Sequence, residues 1–317
     1  MDWSNPQKLY EDGLQACPID TQYRDKLLDN NIVKDSSHIL HLVQQNPGNG
    51  KRATLWRSRE KYDEGAFEQE SQTTGDCTSH GDRNARDVTR SVEIDIKGEA
   101  EEYYKRGATE PTYGYRGHSG QGMDPARAAY FVTKYGFMVR KNYENCVDLS
   151  KYKSSIGNNW GRSGPPKCVL DKCSEHSVGE YVTPSTADEA MALFHNGYAC
   201  HSGQNVGFNS TPSSRGIHEK SGSWNHDMST VGYDDTKEIW KVRVYFVMNS
   251  WGKAHNPWQK WYDELTPILG RPLQSMLVVD AEVWERYFLG GRSIYFYSNI
   301  KGFPKQTLPN YGTGEYL

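Results

Sequence analysis

Cys77, His226 and Asn249 are the side chains whose types and order could do chemistry together. They lie in three short stretches: Q-T-T-G-D-C ending at Cys77, S-W-N-H-D-M around His226, and V-M-N-S-W-G around Asn249. A thiol, an imidazole and a side-chain amide are the parts of a cysteine nucleophile. The imidazole takes the thiol proton, and the amide holds the ring in one tautomer and orientation. The histidine follows the cysteine by roughly 150 residues, an interval met in thiol hydrolases, and the asparagine lies somewhat beyond it. If the three meet, the thiolate attacks a carbonyl, His226 protonates the leaving amine, and water releases the acyl group. The backbone N–H of Cys77 and the side-chain amide of Gln72 are candidate donors to the oxyanion. Trp251 stands two residues past Asn249, where its ring could shield the Asn–His hydrogen bond from water.

These residues need elements to position them. Thr78 to Ile96 holds no proline, and Ala85, Val88, Val92 and Ile96 recur at three- and four-residue intervals, predicting a helix with one apolar stripe that ends before Gly98. Cys77 then sits at its amino end, where unpaired N–H groups and the helix dipole favour a thiolate. Asp124 and Pro125 predict the cap and first position of a second helix, which stops at Gly136. Thr186 and Glu189 form a capping box for a third, closing at Asn196-Gly197. Beyond Tyr198 the pattern turns to strands, with Val242, Val244, Phe246 and Met248 alternating against Arg243, Tyr245, Val247 and Asn249. The turn-rich Tyr233 to Lys237 lies midway between His226 and Asn249, so an antiparallel hairpin would set the imidazole beside the amide. Helices first and strands second predict an α+β protein in two lobes, with Cys77 reaching His226 across the cleft.

A chain of 317 residues can bury a substantial core. Its 37 basic and 40 acidic residues nearly cancel, which gives no reason to expect a nucleic-acid partner. No apolar run reaches the length of a membrane-spanning helix, and the start carries no secretory leader pattern, so the expectation is a cytoplasmic protein without a membrane partner. The cysteines at 17, 146, 168, 173 and 200 are read as ordinary buried or surface thiols in a reducing compartment. Cys168 and Cys173 lack a second pair or histidine cluster for zinc, and neither a metal nor a cofactor is expected. His38 and His41 are read as ordinary helix residues. Residues 1–55 read as an N-terminal extension, bounded near P-G-N-G at 47–50.

The motifs extend beyond the three residues. The sequence resembles the papain and calpain superfamily at Trp56-Arg57, at G-D-C, at Gly120 and Gly122 followed by a helix ending K-Y-G-F, at N-H-D-M-S-T-V-G-Y, and at N-S-W-G. The resemblance covers 56–317, with insertions near 142–180, 201–223 and 253–275. It looks closest to papain-like proteins encoded by bacteriophages and some bacteria, which also carry an E-x-x-Y-G-x-x-R segment, here Glu110, Tyr113, Gly114 and Arg116, with one residue fewer between glycine and arginine. Their late motifs correspond to 275–283 and to Gly302-Phe303-Pro304. The resemblance implies a two-lobed papain-like fold and a peptidase or amidase. In it Cys77 is the nucleophile, His226 the base, Asn249 the orienting amide and Gln72 the oxyanion glutamine, five steps before the cysteine instead of six. Gly120 and Gly122 match glycines whose backbone pairs with a polypeptide substrate. Thr78, His80, Asp82, Arg83 and Asn84 depart from the family, which packs apolar residues there. His80 is expected at the surface.

The phage-type resemblance also admits a non-enzymatic reading, a structural or binding component of a phage particle with other virion proteins as partners. A third reading, acyl transfer to an amine, would call for aspartate where Asn249 stands.

Overall fold

The computed structural model describes residues 17–62, 69–98, 104–252, 262–299 and 302–308. It is a mixed helix-and-sheet protein. Ten strands are described: β1 (Val33–Lys34), β2 (Arg52–Thr54), β3 (Asn142–Tyr143), β4 (Val147–Asp148), β5 (Glu180–Val182), β6 (Cys200–Asn205), β7 (Asn225–Asp234), β8 (Val244–Met248), β9 (Met276–Asp280) and β10 (Ile294–Ser298). The large sheet runs β1–β5–β10–β6–β7–β8–β9 in space, with β2 added on β7, and β3 and β4 pair separately. Only the β1–β5 pair is parallel.

The helices start and stop where local chemistry dictates. Asp124 caps Pro125–Tyr135 through the Arg127 N–H, and Thr186 with Glu189 closes a reciprocal capping box on Ala187–His195. The long helix spans Cys77–Lys97 and ends at Gly98, whose φ of 66° lies in the left-handed region that favours glycine.

The strand expectation needs one correction, in its register. All five residues of β8 are buried. Phe246 packs edge-on against Trp56 at 4.9 Å, while Tyr245 stacks on Trp284 at 3.9 Å, so both faces of the strand are covered. The hairpin exists, but Ser229 pairs with Met248 and a bulge follows Thr230. The register therefore runs about two residues away from direct opposition of His226 and Asn249.

Two apolar clusters make up most of the interior. One surrounds β6 to β9 and the Ala187–His195 helix, and the other surrounds the Pro125–Tyr135 helix with Tyr181, Tyr295 and Tyr297. The Cys77 helix runs between them. Its stripe of Ala85, Val88 and Val92 enters the first cluster, while Arg86 lies over the Phe137 ring of the second at 4.4 Å.

Sheathed on both sides, this helix is buried almost throughout, which explains its unusual polarity. Arg86 pairs with Asp82 at 2.8 Å, and Asp82 also accepts from the Tyr181 hydroxyl. Arg83 and Arg140 both pair with Glu70, at 2.8 and 2.7 Å, and Arg140 continues to Glu110 at 2.6 Å. Burial alone would raise the Glu70 pKa, but the two guanidinium groups outweigh it and hold the carboxyl down at about 2. The polar side chains are thus partnered within the fold rather than solvated.

Two further expectations change. His80 is fully buried, with Nε2 3.5 Å from Asp76 and its ring against Tyr152. Cys146 and Cys168 form a disulfide across the 142–180 insertion, so these two are not free thiols. The described part of 1–55 packs onto the rest of the fold: β1 joins β5, β2 joins β7, and Ile39, Leu42, Ala53 and Leu55 enter the main core. The P-G-N-G turn is bound down as well, since Tyr233 donates to the Gly48 carbonyl at 2.7 Å. Among the described residues no helix is long and apolar enough to cross a membrane.

Candidate active site

Cys77 is the first residue of its helix, and the loop before it is held from several sides. The Gly75 N–H donates to Gln121 Oε1 at 2.6 Å, and the Gly75 carbonyl accepts from the Gly122 N–H at 3.1 Å. Tyr113 also donates to Gln121 Oε1, at 3.2 Å, and Arg116 binds the carbonyls of Tyr113, Gly120 and Gly157. From the insertion, Tyr152 donates to Asp76 Oδ2 at 2.8 Å. The segment from Glu110 to Arg116 and the insertion therefore fix the backbone that presents the thiol.

His226 sits on β7 and Asn249 just beyond β8. The imidazole Nε2 meets Asn249 Oδ1 at 2.7 Å, and the same oxygen accepts from the Ser250 N–H at 2.7 Å. With its oxygen held twice, the amide can only accept from Nε2, so Nδ1 is the imidazole nitrogen turned elsewhere. Nδ1 makes no hydrogen bond among the described residues. The Cys77 thiol lies near enough to this ring for the imidazole to act on its ionisation. Burial works against ionisation of Cys77, yet the Cys17 thiol, the His226 imidazole and the Asp227 backbone N–H outweigh it and hold the thiol well below its ordinary range. Trp251 tilts over the imidazole at 4.7 Å between ring centroids, and Trp224 lies 4.7 Å from Trp251, which screens the Asn–His bond from water.

Gln72 is fully buried. Its Nε2 donates to the Thr74 carbonyl at 2.9 Å, and its oxygen accepts from the Ser250 hydroxyl. Its backbone N–H donates to the Ser250 carbonyl at 2.9 Å, tying the glutamine to the residue after Asn249. Gly122 has a φ of 88° and spends its N–H on Gly75, leaving only its carbonyl for a substrate chain. Gly120 is exposed at the surface, with its carbonyl bound by Arg116. No group of three or more histidine, cysteine, aspartate or glutamate side chains that could hold a metal occurs among the described residues.

No protein-family model matches the chain, and no curated protein matches it. Its solved neighbours are cysteine proteases. Xylellain, a cysteine protease from Xylella fastidiosa, is 14% identical over 74% of this chain and 84% of its own, with a TM-score of 0.49. The digestive procathepsin L 3 of Tenebrio molitor larval midgut is 11% identical over 93% of this chain and 79% of its own, also at 0.49. The cysteine protease and lectin-like domains of Cwp84, a surface layer associated protein of Clostridium difficile, give 12%, 73%, 48% and 0.47. The likeness is one of backbone architecture; the role of each side chain rests on its own contacts.

Two features of the site lie outside the sequence reading. The first is a fully buried pair, His201 on β6 and Asp227 on β7, with Nδ1 3.0 Å from Oδ2. Burial raises the Asp227 pKa to about 6 against the pull of His201. The strand alternation could have flagged Asp227, since it lies beside His226 and must point to the other face. Gly81 makes room for this pair: a Cβ there would run into Asp227 Oδ1. Gly81→Ala should normally stabilise a helix by about 1 kcal/mol. Here the clash reverses the sign, with an expected loss of about 2 kcal/mol in urea unfolding, and a gain in stability would contradict the packing of Asp227 under the helix. The second feature is Cys17, which precedes a helix of the N-terminal segment (Thr21–Asp29) and is almost fully buried beside Cys77.

Proposed function

We propose that the protein is a papain-like thiol hydrolase that cleaves peptide or amide bonds of a polypeptide. In this reading Cys77 is the nucleophile, His226 the general base and then acid, and Asn249 the amide that orients it. The observation that carries the reading is the imidazole held by Asn249 through Nε2, beside a thiol at a helix amino end whose ionisation it favours. Attack by the Cys77 sulfur on the carbonyl carbon would place the developing oxyanion at the Cys77 N–H, at the helix start. The Gln72 amide, anchored by Ser250, is the side-chain donor in the same reading. His226 would then give its proton to the leaving amine, and a water activated by the same ring would release the acyl group. Trp251 keeps solvent from competing for Asn249.

Incubating the reduced protein with a peptide library tests this. The reading predicts new amine termini that are absent with Cys77→Ala, and an absence of cleavage by the wild-type chain contradicts it.

A second reading, a non-catalytic component of a phage particle, draws on one observation: the Cys77 side chain is wholly buried. Copurification with an assembled particle, with no cleavage by the reduced protein, would favour it.

A further inference from the structure

Cys17 occupies a prepared position. Its sulfur lies 3.6 Å from the hydroxyl of Thr78, the residue after Cys77, and is in hydrogen-bonding contact with the Cys77 thiol. The cavity for it exists because β6 carries glycine at 203: a Cβ there would come within 2.9 Å of Cys17 Sγ. Three residues on, the Asp20 N–H donates to Asp124 Oδ2 at 2.7 Å, the same carboxylate that caps the Pro125–Tyr135 helix. The segment 17–20 is thus tied to the helical side of the cleft at one end and to the thiol at the other.

We propose that Cys17 and Cys77 are a disulfide-forming pair, a modification site at which the N-terminal segment is locked covalently onto the candidate nucleophile and released again by reduction. The proposal rests on the reading of Cys77 as an activated thiol, but the bond itself requires no hydrolytic activity. The two sulfurs have unequal parts. The Cys77 thiol is held well below its ordinary range, whereas burial first, and then the neighbouring Cys77 thiol, push Cys17 well above its own. A thiolate next to a neutral thiol is the arrangement in which one sulfur is oxidised and the other resolves it.

With hydrogen peroxide as oxidant, the Cys77 thiolate attacks one peroxide oxygen. An S–O bond forms, the O–O bond breaks, and the departing hydroxide takes a proton and leaves as water. The Cys17 sulfur then attacks the Cys77 sulfenic acid, forming the S–S bond. Hydroxide is expelled and carries off the Cys17 proton as the second water. Two thiols and one peroxide give one disulfide and two waters. Because Cys17 intercepts the sulfenic acid, Cys77 is spared irreversible oxidation.

Peptide mapping of the full chain under non-reducing conditions, before and after peroxide, tests this. The wild type should yield a Cys17–Cys77 cross-linked peptide, and dithiothreitol should restore alkylation of Cys77 completely. In Cys17→Ala the cross-link is absent, Cys77 is trapped by dimedone or driven to sulfinic acid, and dithiothreitol restores less than a tenth of its alkylation. Gly203→Ala, which leaves every cysteine in place, should also suppress the cross-link. The Cys146–Cys168 peptide serves as the fold control in all three proteins. Sulfinic acid at Cys77 with Cys17 still freely alkylated, or Cys17 paired with another cysteine, overturns the proposal. A cross-link that forms in a chain whose reduced state cleaves no peptide leaves the pair standing and removes the hydrolase reading instead.

Discussion

Replacing His226 by alanine should slow alkylation of Cys77 by iodoacetamide at pH 6 by about 100-fold, while the other free thiols react as before. The imidazole is fixed by Asn249 and favours ionisation of the thiol, so its loss removes an influence that holds the thiolate. A free cysteine ionises near pH 8.5, so at pH 6 fewer than about 1 in 100 such thiols would be charged. The helix amino end, Cys17 and the Asp227 N–H keep part of the effect, which is why the loss is not larger. Peptide cleavage, which also needs the proton on the leaving amine, should fall further, by about 1,000-fold. Equal alkylation rates in the two proteins would show that His226 does not act on the thiol.

Arg140→Ala should be the most destabilising single truncation near the site, costing about 3–5 kcal/mol in urea unfolding. Arg140 binds Glu70 through Nε and Nη2 and Glu110 through Nη1, and Glu110 is almost completely buried. Without the guanidinium, Glu110 becomes a buried carboxylate with no cation, and Glu70 keeps only Arg83. The sign of the pH dependence follows from Glu70, whose folded pKa of about 2 lies below its ordinary 4.5. Its stabilising effect is present above pH 4.5 and is lost as the pH falls through 2. The difference between variant and wild type should therefore narrow between those values. A variant as stable as wild type at neutral pH would contradict the network.

Much of the local structure was legible because it depends on adjacent residues. Asp124-Pro125, the Thr186–Glu189 box and Gly98 each supply a helix end from chemistry contained within one turn. The pairing of β7 with β8 followed from the turn between them, but the strands close at Asp234 and Val244, past the expected turn from Tyr233 to Lys237, and this moves the register. What escaped the sequence depends on distant partners. His80 looked like a surface residue until Tyr152, far along the chain, closed over it. Arg83 and Asp82 looked out of place in a core helix until Glu70 and Tyr181 were seen beside them. Cys146 and Cys168 meet only because the insertion folds back on itself, and Cys17 reaches Cys77 only because Gly203 leaves it space. The candidate site itself stood out because three chemically matched residues occur inside distinctive motifs; its second tier, His201 with Asp227, has no motif of its own.

The most direct test of the account is the pH profile of Cys77 alkylation in the reduced wild-type chain, read peptide by peptide with Cys173 and Cys200 as internal references. Both references are buried thiols pushed upward, Cys173 to about 12. The account predicts that Cys77 reacts through the mildly acidic range with little change in rate, while the references react only under alkaline conditions. A Cys77 profile that rises only near pH 8.5, the range of an unassisted thiol, would contradict it.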